Sequence, residues 1–172
     1  TMSMGRKRLL RIAKELSSLS TSLPLSYGSS VFLRVDDTRN DVMQALIVGP
    51  AGTPYENGCF IFDIFLPSSY PNVPPKCLLQ TTGGGTVRFN PNLYKDGKVC
   101  LSLLGTWQGP GWDPKVSTLL QVLISIQSLI MVDDPYFNEP GYESRSTAAT
   151  KKASERYNLN VREATLRHAV LA

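Results

Sequence analysis

Apolar residues first recur with the period of a helix. Leu9, Ile12, Leu16 and Leu19 stand at i, i+3, i+7 and i+10, and Leu10 and Ala13 widen the stripe. Arg6, Lys7, Arg8, Arg11, Lys14 and Glu15 occupy the other face, and Thr21-Ser22-Leu23-Pro24 ends the element. The period then falls to two. Val31, Leu33 and Val35 alternate with Phe32, Arg34 and Asp36, and residues 42–48 form a second strand, stopped by Gly49-Pro50 and Thr53-Pro54. Asn57-Gly58 turns the chain into a third strand, residues 59–66, rich in Phe and Ile. Tyr70-Pro71-Asn72-Val73-Pro74-Pro75 reads as a rigid extended connector, because each proline fixes its own φ and restricts its predecessor. A short fourth strand, residues 76–81, precedes Gly83-Gly84-Gly85. Consecutive short strands joined by tight turns predict a four-stranded antiparallel meander.

After a long irregular segment, Ser117 or Thr118 can cap a helix with Leu119, Val122, Leu123, Ile126, Leu129 and Ile130 on one side. Leu120, Ile124 and Met131 make it apolar nearly all round, which predicts a buried central helix. Pro135 and Asn138-Glu139-Pro140-Gly141 close that region. Residues 147–172 are helical again, with Tyr157, Val161, Ala164, Leu166 and Val170 as inward positions. The expected class is α+β: an N-terminal helix, the meander, a central buried helix and C-terminal helices. Residues 1–172 are expected to make one domain, and Thr1-Met2-Ser3-Met4 reads as a cut boundary, as in a domain excised from a larger protein.

Composition narrows the classes. With 42% hydrophobic and 19% charged residues, the 172-residue chain is an ordinary globular one. Its net charge of +4 suits an acidic partner or a solvated basic face equally well. No Lys/Arg patch is interleaved with aromatics, so no nucleic-acid partner is expected. Residues 119–132 are too short for a membrane span and carry Gln121 and Gln127, and the basic start lacks the apolar run of a signal peptide. Three cysteines without a Cys-x-x-Cys, beside a single histidine, His168, predict no metal and free thiols in a reducing, cytoplasmic compartment.

The candidate chemistry lies in the irregular segment, in the run from Phe89 to Leu101. An Asn-Pro-Asn turn ends eight residues before Cys100, with Gly97 between them to bring the chain back. Cys59 and Cys77 lie in strand patterns and read as small buried hydrophobes. A thiol can carry an acyl group as a thioester, and a nearby Asn amide could hold the oxyanion formed when that thioester is attacked. The sole histidine stands near the end of the last helix, so a protease-like Cys–His pair is not expected. Without a base, a thiol can still take an acyl group from another activated thioester, because the exchange is nearly isoenergetic. An exposed thiol of pKa about 8.5 leaves a few per cent thiolate at neutral pH. This reading needs a sulfur open to solvent and an amide near it.

Several pieces together resemble the ubiquitin-conjugating enzymes over nearly the whole chain. They are Gly49-Pro50 with Thr53-Pro54-Tyr55 and Gly58; Tyr70-Pro71 with Pro74-Pro75-Lys76; Asn90-Pro91-Asn92 with Gly97 and Val99-Cys100-Leu101; and Trp112-x-Pro114. Residues 19–26 and the run from Pro135 to Glu143 resemble one branch, the catalytic domain of the very large BRUCE/Apollon inhibitor-of-apoptosis proteins. The resemblance implies that Cys100 accepts ubiquitin from an activating enzyme and passes it to a lysine amine of a protein substrate, with no cofactor. Asn92 would steady the oxyanion, support the loop, or both. Asn90 stands where the family usually has His, and with Pro91 it would support the loop; Ser102 stands where many members have Asp. Glu139, with Asn138 as its neighbour and substitute, would line the entrance for the incoming lysine. An amine of pKa about 10.4 is neutral only about once in 2,500 molecules at pH 7, so a carboxylate that positions the ammonium and receives its proton is useful. Arg6, Lys7, Arg8 and Arg11 match the surface that meets the activating enzyme. Asn72, Val73 and Pro114 occupy the ligase-binding loops and depart from their usual residues, which suits a domain that finds substrates through other parts of its own polypeptide. The missing His and Asp leave an alternative, a non-catalytic ubiquitin-binding scaffold that keeps the fold.

Overall fold

The structure, a computed structural model, describes residues 2–142 and 147–171. Helix α1 (Met2–Ser22) buries Ile12 and Leu19, with Leu16 half-buried. The predicted stripe is too wide: Leu9, Leu10 and Ala13 are exposed. Glu15, expected on the solvent face, is buried instead.

Five strands follow in the spatial order β1-β2-β3-β4-β5, every neighbouring pair antiparallel. They are β1 (Leu25–Ser26), β2 (Ser29–Val35), β3 (Val42–Val48), β4 (Cys59–Phe65) and β5 (Lys76–Leu79). The meander is the expected one with an added edge: β1 folds back on Ser29 and Ser30, and two residues are too few to show a period. Alternation sets the inner face. Val31, Met43, Ala45, Ile47, Phe60, Phe62 and Ile64 point into the core, while Gln44 faces out and donates to Asp63 across the β3–β4 pair at 3.0 Å. That alternation also corrects one cysteine: Cys59 opens β4 on its outer face and is exposed, while Cys77 is half-buried.

Helix α2 (Leu119–Ser125) starts at a reciprocal cap, Gln121 N donating to Thr118 Oγ1 and Thr118 N to Gln121 Oε1. It runs on into a wider π turn, Ile126–Ile130. The extra residue per turn rotates the face, so Gln127 goes in and Leu129, expected inside, comes out. Helix α3 (Ala148–Thr165) ends in a second π turn, Leu166–Val170. Val161, Thr165 and Ala169 are buried, Tyr157 and Ala164 pack at the core's edge, and Leu166 and Val170 are exposed, against expectation. Glu143 and Ala172 lie outside the described residues.

Glu15 joins three parts of the molecule. It accepts hydrogen bonds from the Arg11 guanidinium, from the Tyr70 hydroxyl in the proline connector, and from Leu119 N at the start of α2 (2.7 Å). The connector, with a cis Tyr70–Pro71 peptide, is also held by Trp112, whose Nε1 donates to Pro71 O at 2.7 Å. Among the described residues, no helix is long and apolar enough to cross a membrane.

Candidate active site

Between β5 and α2 the chain has little regular structure, and its apolar residues pin it to the core. Phe89, Leu93, Val99 and Leu101 are buried, and the Phe89 ring meets Phe60 edge-on at 5.1 Å between centroids. The polar residues between them are then forced to bond to one another. Asn90, wholly buried, donates from Nδ2 to Tyr55 Oη (2.8 Å) and Ile130 O (2.7 Å), and its Oδ1 accepts from Asn92 N (2.8 Å). Tyr55 in turn donates to Phe89 O at 3.0 Å, and burial pushes its phenol pKa far up, which keeps it a neutral donor. The Asn90 amide thus ties the turn to Tyr55 and to the end of the π turn. Pro91 is buried in the same turn.

Asn92 and Cys100 clasp each other. Cys100 N donates to Asn92 O and Asn92 Nδ2 to Cys100 O, both at 2.9 Å. One amide N–H of Asn92 is therefore spent on the backbone beside the thiol. The reversal between the two residues is a tight turn, with Tyr94 N donating to Lys98 O at 3.0 Å and Gly97 N to Tyr94 O at 3.0 Å. Gly97 has φ 88°, and a Cβ there would lie 2.5 Å from Leu79 O, so no other residue fits without displacing β5. On the other side of the cysteine, the Thr106 hydroxyl donates to Val99 O (2.6 Å) and accepts from Leu101 N (3.0 Å).

Cys100 departs from expectation. The open thiol that the sequence suggests is not seen: the residue is 2% exposed. Burial raises its pKa above the ordinary thiol value. The charges of Lys98 and Arg88 and a hydrogen bond from the Tyr94 hydroxyl act the other way, and Asp96 reinforces the rise. The sulfur is nonetheless not part of the contiguous apolar core. Lys98, Asp96 and Arg88 around it are exposed, and so is every residue of the loop 105–111 that folds back towards Ser102. Ser102, half-buried, opens a single 3₁₀ turn, Ser102–Leu104.

Segment 135–140 lies across this loop. Asn138 Nδ2 points inward to Asn90 Oδ1 (3.4 Å) and to the Leu129 and Ile130 carbonyls (3.3 Å each). Glu139 pairs with the residue before Phe89, its Oε2 3.5 Å from Arg88 Nη2. Arg88 also donates to Pro91 O at 2.7 Å and lies over the Tyr94 ring, 4.3 Å from its centroid. The sequence assigns no role in the site to Arg88, Tyr94 and Thr106, and Tyr55 stands out in it only as part of the Thr53-Pro54-Tyr55 piece. Arg88 and Tyr94 flank a conspicuous motif, but only folding shows that they face it.

The expected partner surfaces divide. Arg6, Lys7 and Asn72 are exposed, and Val73 is half-buried. Arg8 and Arg11 are engaged inside the molecule: Arg8 pairs with Asp41 at 3.0 Å, and Arg11 binds Glu15 and the Ser117 and Pro114 carbonyls. Pro114 is thereby fixed to α1.

Residues 11–165 match the family model described as "Ubiquitin-conjugating enzyme". The chain is 58% identical over 168 residues to the human "Dual E2 ubiquitin-conjugating enzyme/E3 ubiquitin-protein ligase BIRC6", covering 95% of this chain and 4% of that protein. It is 54% identical over 169 residues to the "Probable ubiquitin-conjugating enzyme protein 17" of Caenorhabditis elegans, covering 96% of this chain and 23% of the relative. With the "Probable ubiquitin-conjugating enzyme E2 R521" of Acanthamoeba polyphaga mimivirus it shares 50% identity over 167 residues, 95% of this chain and 12% of that one. These relatives are much longer than the segment they share with it, which agrees with the resemblance to a branch carried on very large proteins. On its fold and on these matches, the chain belongs to the ubiquitin-conjugating enzyme family.

Proposed function

We propose that residues 1–172 act as one catalytic domain of a larger polypeptide, taking ubiquitin from the activating enzyme as a thioester on Cys100 and passing it to a lysine amine. The single observation that carries this is the mutual clasp of Asn92 and Cys100, which holds the Asn92 side-chain amide against the backbone of the cysteine. In the first transfer the thiolate attacks the incoming thioester carbonyl, a new C–S bond forms and the donor thiol leaves. In the second, the amine nitrogen attacks, the C–N bond forms and the Cys100 sulfur leaves. The second N–H of Asn92 Nδ2 is the one available to the oxyanion, and losing one such donor raises a barrier by about 2.7–4 kcal/mol. Glu139 positions the ammonium and receives its proton. Acylation requires the packing around Cys100 to open enough for the buried sulfur to meet the incoming thioester. Arg6 and Lys7 are the cations on α1 that can meet an activating enzyme, and Asn72 and Val73 present the surface for a ligase. The three free cysteines suit a reducing, cytoplasmic setting.

The buried thiol with a raised pKa favours a second reading, a ubiquitin-binding scaffold without catalysis. One experiment separates them. The domain is incubated with activating enzyme, ubiquitin and ATP and run on a non-reducing gel. A reductant-sensitive band that is lost in Cys100→Ala and kept in Cys59→Ala and Cys77→Ala is the expected result. A wild-type chain that forms no band is the scaffold.

A further inference from the structure

We propose that Arg88 is the positioning residue of the acceptor entrance, holding the Glu139 carboxylate at the mouth of the Cys100 site from a fixed seat on the Asn-Pro-Asn turn. This rests on the reading of Cys100 as the acylated thiol and of Glu139 as the group that meets the amine. Three contacts fix the guanidinium: Pro91 O at 2.7 Å, the Tyr94 ring centroid at 4.3 Å, and Glu139 Oε2 at 3.5 Å. The guanidinium carbon lies over the ring while its Nη2 both donates to the Pro91 carbonyl and pairs with the carboxylate, a combination that a compact, strongly hydrated lysine ammonium matches only in part. Both side chains of the ion pair are 42% exposed, and pairs of that kind contribute little to stability. Its value is therefore in placement. Segment 135–140 is held from beneath by Asn138 on Asn90 and from behind by Ser154 on Asp134. Among the described residues, Arg88 is the group that ties the Glu139 carboxylate itself to the turn carrying Asn92.

The same charge bears on the sulfur. When the amine attacks, its proton passes to Glu139, the C–S bond breaks, and Cys100 leaves as a thiolate that later takes a proton from water. A cation nearby favours that thiolate, and Arg88 acts on the Cys100 thiol in this sense.

The test uses the 172-residue chain as wild type, R88M, R88K, E139Q and the R88M/E139Q double variant. Each is loaded with ubiquitin by activating enzyme and ATP, the loading is stopped, and discharge to free lysine is followed on non-reducing gels across a lysine series. In parallel, alkylation of Cys100 by iodoacetamide is followed against pH by mass spectrometry. R88M is expected to load, to discharge about tenfold slower with a raised KM for lysine, and to shift the alkylation midpoint upward. The double variant should discharge no slower than E139Q, because one residue acts through the other. R88K should keep the alkylation midpoint and discharge about threefold slower than wild type, its charge present and its fork absent. Wild-type discharge in R88M, or losses that multiply in the double variant, overturns the proposal. If R88M melts early, R88K decides, and wild-type discharge there overturns it equally. An E139Q chain at wild-type speed removes the role of Glu139 and this proposal with it. A wild-type chain that never loads ends the parent reading, a failure visible before any variant is compared.

Discussion

Burial raises the Cys100 thiol while Lys98 and Arg88 draw it back, so its reactivity is set by cover as much as by charge. Cys59 has no such cover, and Cys77, desolvated and close to Asp63, is pushed up to about 12. Iodoacetamide at neutral pH should therefore modify Cys59 first, Cys100 more slowly and Cys77 last, read site by site by mass spectrometry. A thiol with a raised pKa gains thiolate only at higher pH, so Cys100 alkylation should rise with pH through a midpoint above the ordinary thiol value of about 8.5. A midpoint at or below that value would contradict the burial described here. At this scale the sequence marks Cys100, Asn90 and Asn92 by spacing, but it does not show that Cys100 is covered, since exposure depends on how the folded chain packs around it.

The turn between Tyr94 and Lys98 is the element on which the placement of the thiol depends, and Gly97 is its fixed point. Gly97→Ala would force a side chain into a left-handed conformation against the Leu79 carbonyl. It should destabilise the domain by about 1–3 kcal/mol, measured by urea denaturation, and slow thioester formation with it. The matching Gly105→Ala also has positive φ but open space around it, so it should cost less, about 1 kcal/mol. The helices show where a periodic pattern stops being informative. Val122, Leu123 and Ile126 are buried as predicted, and then the π turn rotates Leu129 outward and Gln127 inward. A one-residue widening leaves no trace in composition, and it misplaces Leu129 and Gln127 while Ile130 stays inside. Leu166, five residues after Val161, lies off the buried stripe even before the second π turn begins, and both it and Val170 face solvent.

Across the whole molecule, a single carboxylate joins the first helix, the proline connector and the start of α2. Glu15→Ala would leave the Tyr70 hydroxyl, the Leu119 amide and the Arg11 guanidinium without that partner. The expected loss is about 3 kcal/mol of unfolding free energy measured by urea denaturation, whereas a surface residue of the same helix such as Lys14→Ala should change it by less than about 0.5 kcal/mol. Helical spacing put Glu15 on the charged face with Arg11 and Lys14. What it could not show is that two distant segments supply donors for a buried carboxylate. The order of elements, by contrast, is local information, and it was legible from Val31 to Leu79 because each strand ends at a Gly, Pro or Asn turn. Helix α3 also grips the segment before Glu139, with Ser154 donating to Asp134 at 2.8 Å and Asn158 to the Asp133 carbonyl at 2.8 Å. This makes the last long helix a handle on the acidic lip: a neighbouring body that leaned on it or pulled it would retune how amines are received, with no group near the sulfur being touched.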